Sequence, residues 1–281
     1  MRTVSRLPGG SYRPGEGADL DGELARLEAQ AELSWPEEFR VLTELGVGNG
    51  NAILDAGCGP GAFTVRLREA LPAGPLIALD ADERLLGQAR SRLAALTGTL
   101  PNGTGSTQIV AGDLADPPVA DASQDVVISR FVFQHLPAPL TVARRLRRLL
   151  RPGGLLAVIE VDAGLWGAAV PDLSSGYAEA YRAMATDQAG AGGDRFIARR
   201  LPGLLEAAGY RDVLVRPYAY GGAADSGATL AAQLSPERFR PLVERGALSV
   251  GAYARAHAAW EQFRNDGGRV LLLGFVVCGR A

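Results

Sequence analysis

An alternation of short apolar runs and amphipathic stretches, starting at residue 51, most constrains the fold of this chain. Continuous apolar runs are typical of strands buried on both faces of a parallel sheet, and amphipathic stretches between them are typical of covering helices. The pattern predicts a Rossmann-like, doubly wound α/β fold with a mostly parallel seven-stranded sheet and a helical cap. The predicted strands are Ala52–Asp55, Leu76–Asp80, Thr107–Val110, Asp125–Ser129, Leu155–Val161, Val213–Val215 and Val270–Cys278. The predicted helices between them are Phe63–Leu71, Glu83–Leu96, Ala138–Leu150 and Phe196–Ala208.

The segments that flank this alternation are predicted to form an arm, lid helices and a cap. We assign residues 1–45 to an N-terminal arm and two lid helices, the first running toward Pro36 and the second from about Glu37 to Leu45. We assign residues 46–281 to the core, with cap insertions at about 163–190 and 219–268. Both insertions contain aromatic residues, which are suited to line an apolar chamber over a ligand.

The composition excludes several kinds of chemistry. All 29 basic residues are arginine, so lysine-dependent Schiff-base, Walker A and Tyr-x-x-x-Lys dehydrogenase mechanisms are ruled out. Two cysteines and two histidines do not suffice for a disulfide framework or a Cys- or His-rich metal site, so we expect no metal. The chain has no long apolar run and no apolar signal core at its N-terminus, so we expect a cytoplasmic protein without a membrane partner.

The segment Leu54-Asp55-Ala56-Gly57-Cys58-Gly59-Pro60-Gly61 carries the strongest signal for a ligand site. Glycine permits unusual backbone dihedrals and a close approach of the backbone to a ligand, and the following helix directs free N–H groups toward it. Asp80 stands at the tip of the second strand, where a carboxylate can accept both hydroxyls of a ribose. Asp113 closes the third strand, within the reach expected for an adenine amino group.

Taken together, five motifs resemble those of the class I S-adenosylmethionine-dependent methyltransferases. They are the Asp55-to-Gly61 turn, Asp80, Gly112-Asp113, the Ser129-to-Leu136 segment and Arg151-Pro152-Gly153-Gly154. The resemblance covers roughly residues 50–161 and implies S-adenosylmethionine as the cofactor, S-adenosylhomocysteine as the product and an antiparallel last strand. The cofactor residues that it implies are Asp55, Gly57, Gly59 and Gly61 for methionine and ribose, Asp80 for the ribose hydroxyls, Ala81, Asp113 and Leu114 for adenine, and Ser129 and Arg130 for the methionine end. We add Tyr12 as a lid residue and Gln30 as a partner of the methionine carboxylate.

The acceptor side is less constrained by the sequence. A general base is needed when the acceptor loses a proton during attack, and His135 is the first candidate, with His257 in a cap helix as the second. Supporting roles are the alternatives for both histidines. Glu160, Asp162 and Trp166 follow the fifth strand, where substrates lie in this fold, so we assign them to the substrate.

We expect methyl transfer by in-line displacement to a bulky small-molecule metabolite, in natural-product biosynthesis. The alternatives are a methyltransferase-fold protein that catalyses a non-methylating reaction such as cyclisation, and an NAD(P)-dependent oxidoreductase. We expect no nucleic-acid partner, because the arginine run from Arg144 to Arg151 suits the solvated face of a helix. The acceptor atom and the oligomeric state are left open, a homodimer included.

Overall fold

The computed structural model describes residues 11, 20–97, 100–101, 103–221, 231 and 233–281. Its ordered elements alternate as the apolar pattern predicts. The strands are β1 Ile53–Ala56, β2 Leu76–Asp80, β3 Thr107–Ala111, β4 Gln124–Arg130, β5 Leu150–Glu160, β6 Gly167–Val170, β7 Arg211–Gly221 and β8 Arg269–Arg280. The helices are α1 Leu20–Glu44, α2 Ala62–Ala70, α3 Glu83–Thr97, α4 Pro139–Leu149, α5 Ser174–Gly190, α6 Ile197–Ala207, α7 Arg240–Glu244 and α8 Val250–Asn265, with 3-10 turns at Phe133–His135 and Pro236–Phe239.

The strands form one mostly parallel sheet. Its order begins β3-β2-β1-β4-β5, and all four of these pairings are parallel. β8 then runs antiparallel to β5 and carries β7 on its other side. This arrangement confirms the Rossmann-like α/β prediction and the antiparallel last strand.

The sheet has one strand more than the sequence predicts. β6 extends the sheet beyond the end of β5, where Gly167 pairs with Leu272 and Val170 with Arg269. Its Gly-Ala-Ala-Val sequence has little strand character, so the pairing with the long β8 determines its conformation. At Gly167 a β-carbon would stand 1.9 Å from the carbonyl oxygen of Leu271, which accounts for the glycine.

A single helix, α1, replaces the two predicted lid helices. This helix continues through Pro36. Proline has no N–H group, so the carbonyl of Glu32, four residues earlier, loses its helical partner. Both residues lie on the exposed face, so no unpaired group is buried by this loss. The buried face keeps its helical spacing across the proline. Its members on the two sides are Ala31, Ser34, Glu38, Val41 and Leu42.

Helices cover both faces of the sheet. One apolar core joins α1, α2 and the cap helices α5 and α8 to one face, and a second core joins α4 and α6 to the other. Arginines of α4 and of the start of β5 form ion pairs with aspartates: Arg145 and Arg148 contact Asp121, and Arg151 contacts Asp125. None of the described helices combines the length and apolar character required to cross a bilayer.

Candidate functional site

A cavity of about 1420 Å³ opens at the carboxyl ends of β1, β2 and β4, between α1 and the cap. Single ligands generally occupy roughly 300 to 1,000 Å³, so this cavity has room for two molecules side by side. Most of the residues that the sequence assigns to cofactor or substrate line it. They are Gln30, Asp55, Gly57, Gly59, Asp80, Ala81, Asp113, Leu114, Arg130, His135, Asp162 and Trp166.

The turn between β1 and α2 is held in place by the neighbouring strand. The N–H groups of Gly57 and Cys58 both donate to the carbonyl oxygen of Leu79, at 2.7 and 2.9 Å. Gly57 has a φ of 85°, and a β-carbon there would stand 2.4 Å from Val132 Cγ2. Gly59 has a φ of 53° and no neighbouring atom within 4 Å of where its β-carbon would be. The backbone of Gly59 therefore faces open space in which a ligand fits.

Gly61 serves a different purpose from the two glycines before it. Its φ is 82°, and a β-carbon would lie 2.9 Å from the backbone of Ala89 in α3. Gly61 is not among the residues that line the cavity. A glycine is required at this position because the start of α2 packs closely on α3. The role that we assign to Gly61 in the cofactor site is therefore limited to shaping the turn.

Asp80 connects the glycine turn to the tip of β2. One carboxylate oxygen accepts the N–H of Gly59 at 2.8 Å, and the other accepts the N–H of Asp82 at 2.9 Å. Burial raises the pKa of Asp80 above its usual value, and these two N–H groups oppose that rise. Carboxylate oxygens have several lone pairs, so this carboxylate can also bind a pair of hydroxyls from the cavity.

The residues that the sequence assigns to the adenine lie beside Asp80. Asp113 is exposed at the cavity edge, and its carboxylate accepts the N–H of Ala115 at 2.8 Å. Leu114 is buried beneath it, with 7% of its surface exposed. Ala81 is exposed and also lines the cavity. This edge of the cavity therefore combines apolar side chains with a carboxylate acceptor.

Asp55 is a buried carboxylate at the opposite end of the turn. The hydroxyl of Thr64 donates to it at 2.6 Å. Burial raises the pKa of Asp55 to about 7, although the Thr64 hydrogen bond and the positive charge of Arg130 lower it. A cationic or donor-rich ligand group in the cavity would favour the ionised form of this carboxyl.

Arg130 belongs to a buried polar network that the sequence did not reveal. Its Nε donates to Glu38 at 2.8 Å, and one terminal nitrogen donates to Ser34 at 2.9 Å. The hydroxyl of Tyr218 donates to the other oxygen of Glu38 at 2.9 Å. Burial by itself would lower the pKa of Arg130, but Glu38 outweighs it and raises the pKa. The network joins α1, β4 and β7 and fixes Arg130 at the cavity wall.

Ser129 and Gln30, also assigned to the cofactor, have structural hydrogen bonds. The Ser129 hydroxyl is fully buried and donates to the carbonyl oxygen of Ala56 at 3.0 Å, so its side chain connects β4 to β1. The carbonyl oxygen of Gln30 accepts from Ser34 at 2.8 Å. Tyr12 lies outside the described residues.

His135 lies at the cavity wall as a neutral imidazole. Its Nδ1 is 3.0 Å from the hydroxyl of Ser11 and 3.3 Å from Nε2 of Gln188. The Gln188 amide is oriented by Arg195, which donates to Oε1, and by the carbonyl of Gln134, which accepts from Nε2. Because Nε2 of Gln188 is a donor, the hydrogen-bond network assigns Nδ1 of His135 as an acceptor and places its proton on Nε2. Burial, with Arg195 second, lowers the pKa of His135 to about 3.

Two carboxylates, one on the last residue of β5 and one two positions beyond it, both contact protein groups. Glu160 is fully buried, and one of its oxygens accepts the N–H of Gln134 at 3.1 Å. Asp162 forms a two-point ion pair with Arg199 and accepts the N–H of Gly164 at 2.8 Å. Asp162 lines the cavity and Glu160 does not, so the structure separates two residues that the sequence grouped together.

The cap places Trp166 at the cavity and His257 away from it. Trp166 lies 6.1 Å from Tyr181, ring centre to ring centre, and both line the cavity. His257 is outside the lining residues, where its Nε2 is 3.4 Å from Glu237 and its ring meets the edge of Tyr253. Arg195 and Arg238, which the sequence did not single out, line the cavity near Tyr181. The sequence alone does not distinguish these two arginines from the others, because all 29 basic residues of the chain are arginine.

The fold defines a Rossmann-like protein with a large cavity at the carboxyl edge of its sheet. Residues 54–158 match the family described as "Methyltransferase domain". An uncharacterized 37.1 kDa transposon protein of Streptomyces fradiae is 32% identical over 218 residues, 76% of this chain and 59% of that protein. Demethylmenaquinone methyltransferase of Staphylococcus aureus is 30% identical over 124 residues, 44% of this chain and 48% of that enzyme. The chain thus spans about half the length of these relatives.

Solved structures support the same fold. A phosphoethanolamine N-methyltransferase of Haemonchus contortus superposes with a TM-score of 0.54 at 17% identity, covering 87% of this chain and 52% of the other. A methyltransferase-like structure from Bacillus halodurans, described as putative, has a TM-score of 0.51 at 15% identity and covers 86% of this chain and 96% of the other. With the domain match, these findings show that residues 54–158 match a methyltransferase domain and that the chain shares the fold of these two structures.

Proposed function

We propose that this protein transfers a methyl group from S-adenosylmethionine to a bulky small-molecule acceptor. The observation that carries the proposal is the hydrogen bond from the N–H of Gly59 to the Asp80 carboxylate. Both residues line the cavity and lie within the matched methyltransferase domain. When bound, S-adenosylmethionine supplies an electrophilic methyl group on a sulfonium centre. A natural-product pathway is the setting that we propose for the acceptor.

The lining residues suit the different parts of this cofactor. We propose that Asp80 binds the ribose hydroxyls, with Ala81, Asp113 and Leu114 around the adenine. We propose that Asp55 and Arg130 bind the charged amino and carboxylate groups of the methionine end. Opposite charges at these two positions match a zwitterion, which would otherwise be costly to bury.

Methyl transfer relies on alignment, because donor and acceptor must meet in line. The rigid network around Arg130 and the glycine turn supplies that alignment on the cofactor side. His135 is poorly suited to accept a proton, since its pKa is lowered to about 3. We propose that His135 supports the cavity wall as a neutral imidazole and is not the general base. His257 lies outside the residues that line the cavity, so its position does not support a catalytic role.

The cap end of the cavity favours an aromatic or otherwise apolar acceptor. Trp166, Tyr181, Met184 and Tyr220 line it. The ion pairs that arginines of α4 and of the start of β5 form with aspartates support a small molecule over a nucleic acid, because these cations are already compensated.

Titration calorimetry with S-adenosylmethionine, S-adenosylhomocysteine and NADH tests the proposal. We expect micromolar binding of the two sulfur compounds and no heat with NADH. The Asp80→Ala variant should bind S-adenosylmethionine about tenfold more weakly, because charge-assisted hydrogen bonds worth ~1.5 kcal/mol are lost. Glu83→Ala, which removes an exposed carboxylate paired with Arg90 on α3, is the matched control and should bind as the wild type does.

Three outcomes would contradict parts of the proposal. Binding of NADH alone would replace the methyltransferase with the oxidoreductase alternative. Tight S-adenosylmethionine binding without formation of S-adenosylhomocysteine, across a panel of acceptors, would favour a non-methylating reaction such as cyclisation. Unchanged affinity in Asp80→Ala would remove the ribose assignment.

A further inference from the structure

Two arginines at the cap end of the cavity lack a carboxylate partner among the described residues. Arg195 donates one hydrogen bond, from Nη1 to Oε1 of Gln188 at 3.1 Å. Its Nε is buried and has no hydrogen-bond partner. Arg238 donates from Nη1 to the carbonyl oxygen of Gln233, and its Nη2 lies 3.9 Å from the sulfur of Met184. A thioether is a weak acceptor, so both guanidinium groups retain donors without a strong partner.

The carboxylates on the same side of the cavity are engaged with other groups. The pairs are Glu23 with Arg26, Asp162 with Arg199, and Glu237 with Arg240. Glu160 also lies near Arg195, but burial raises the pKa of Glu160 to about 8, so this carboxyl is mostly uncharged at neutral pH. The positive charge of the arginine pair is therefore left without a compensating anion in the described part of the chain.

Two cations in this position repel each other at a cost. Burial, followed by the charge of Arg238, lowers the pKa of Arg195 to about 10, and burial lowers the pKa of Arg238. Arginine remains protonated at neutral pH under these conditions, and half-buried guanidinium groups are stabilised by an anion that accepts hydrogen bonds from both. The five donors of each guanidinium are arranged in a fork that fits an oxyanion such as a carboxylate or a phosphate.

The aromatic side chains next to the arginines indicate what the anion is attached to. Tyr181 packs against Phe239 with ring centres 5.6 Å apart and against Trp166 at 6.1 Å. Arg195 precedes α6, and Arg238 lies in the 3-10 turn at Pro236–Phe239, so the two approach the cavity from separate parts of the cap. An apolar wall with two cations along one side fits an amphipathic acid.

We propose that Arg195 and Arg238 form an oxyanion subsite that binds a carboxylate or phosphate group on a largely apolar acceptor. The inference rests on the proposed function, because it takes the cap end of the cavity to be the acceptor site. It adds the charge of the acceptor and the two residues that recognise it.

The test compares two fluorescent dyes that share an aromatic body and differ in one oxyanion. Anilinonaphthalenesulfonate carries a sulfonate, and N-phenylnaphthylamine does not. In protein saturated with S-adenosylhomocysteine, we expect the anionic dye to bind at least about tenfold more tightly than the neutral dye. Benzoate and phenyl phosphate then compete for the anionic dye, and the stronger competitor identifies the preferred oxyanion. Equal affinities for the two dyes, or no displacement by either acid, would overturn the proposal.

Variants locate the preference on the two arginines. Arg195→Met and Arg238→Met should each weaken the anionic dye about tenfold and change the neutral dye less than about twofold. Arg238→Lys keeps the charge without the fork and should give an intermediate loss. Arg245→Met is the matched control, because Arg245 is 51% exposed and already paired with Asp187. An equal loss in Arg245→Met would indicate a general charge effect and overturn the assignment.

Titration with S-adenosylmethionine distinguishes a failure of the proposed methyltransferase function from a failure of the oxyanion subsite. A wild-type protein that binds no S-adenosylmethionine would remove the proposed function, whatever the dyes show. A protein that binds S-adenosylmethionine normally but shows no preference between the dyes would remove only the oxyanion subsite. Retained S-adenosylhomocysteine affinity in each arginine variant shows that the variant is folded.

Discussion

At the scale of single residues, two acidic side chains two positions apart have opposite environments. Asp162 is held by Arg199 in a two-point ion pair. Glu160 is fully buried and has one carboxylate oxygen without a partner. An unpaired buried carboxylate is costly when ionised, which is why the pKa of Glu160 is raised to about 8. The protein therefore holds a proton on Glu160 over much of the neutral range.

This shift predicts a pH-dependent stability that depends on Glu160. The folded protein keeps the proton up to about pH 8, whereas the unfolded chain releases it near 4.5, so the carboxyl increasingly destabilises the fold as the pH rises between these values. Relative to Glu160→Gln, the wild type should lose ~3–4 kcal/mol of unfolding free energy between about pH 5 and about pH 8. Urea denaturation at both pH values measures it. Parallel pH profiles for the two proteins would show that Glu160 is ionised in the fold.

At the scale of elements, α1 is fixed to the sheet by charge as well as by apolar packing. Glu38 is fully buried and receives Arg130 from β4 and Tyr218 from β7. The exposed side of the same helix carries ion pairs of a different kind, such as Arg40 with Glu44. A buried pair that loses one partner leaves an uncompensated charge, whereas an exposed pair is screened by water.

Substitutions in the buried network and on the exposed face of α1 should show this difference between buried and exposed ion pairs. Glu38→Ala should lower the unfolding free energy by ~3–5 kcal/mol, because Arg130 is left buried and unpaired. Tyr218→Phe should cost about 1 kcal/mol, since it removes one hydrogen bond from a carboxylate that keeps Arg130. Glu44→Ala, the exposed control on the same helix, should cost less than about 0.5 kcal/mol. Similar losses in Glu38→Ala and Glu44→Ala, measured by urea denaturation, would contradict the network.

At the scale of the whole molecule, the cavity draws on parts of the chain that are far apart. Its walls include Gln30 from α1, Asp80 from β2, Arg238 from the cap and Leu272 from the last strand. α1, the sheet and the cap helices α5 and α8 also share one apolar core. A ligand in this cavity contacts only the folded arrangement, so its binding free energy adds to the stability of the fold.

Binding of S-adenosylhomocysteine should therefore stabilise the protein by mass action. At a concentration of 100 times its Kd, it should raise the unfolding free energy by about 2.7 kcal/mol. Chemical denaturation with and without the compound measures the increase, and NADH at the same concentration serves as the control. An equal increase with NADH would mean that the site does not discriminate between the two nucleosides.

The sequence by itself determined the α/β alternation, the parallel direction of the core strands, and the glycine turn with Asp55, Asp80 and Asp113. These features are local: an apolar run, a glycine or an acidic residue at a strand end is visible along the chain and has the same meaning wherever the chain folds. The tertiary structure decided the strand β6, the unbroken α1, the placement of Glu160 away from the cavity and the placement of Arg195 and Arg238 on one cavity wall. Each of these depends on segments distant in sequence, because pairing with β8, burial and the lack of a counter-charge arise only when those segments pack together.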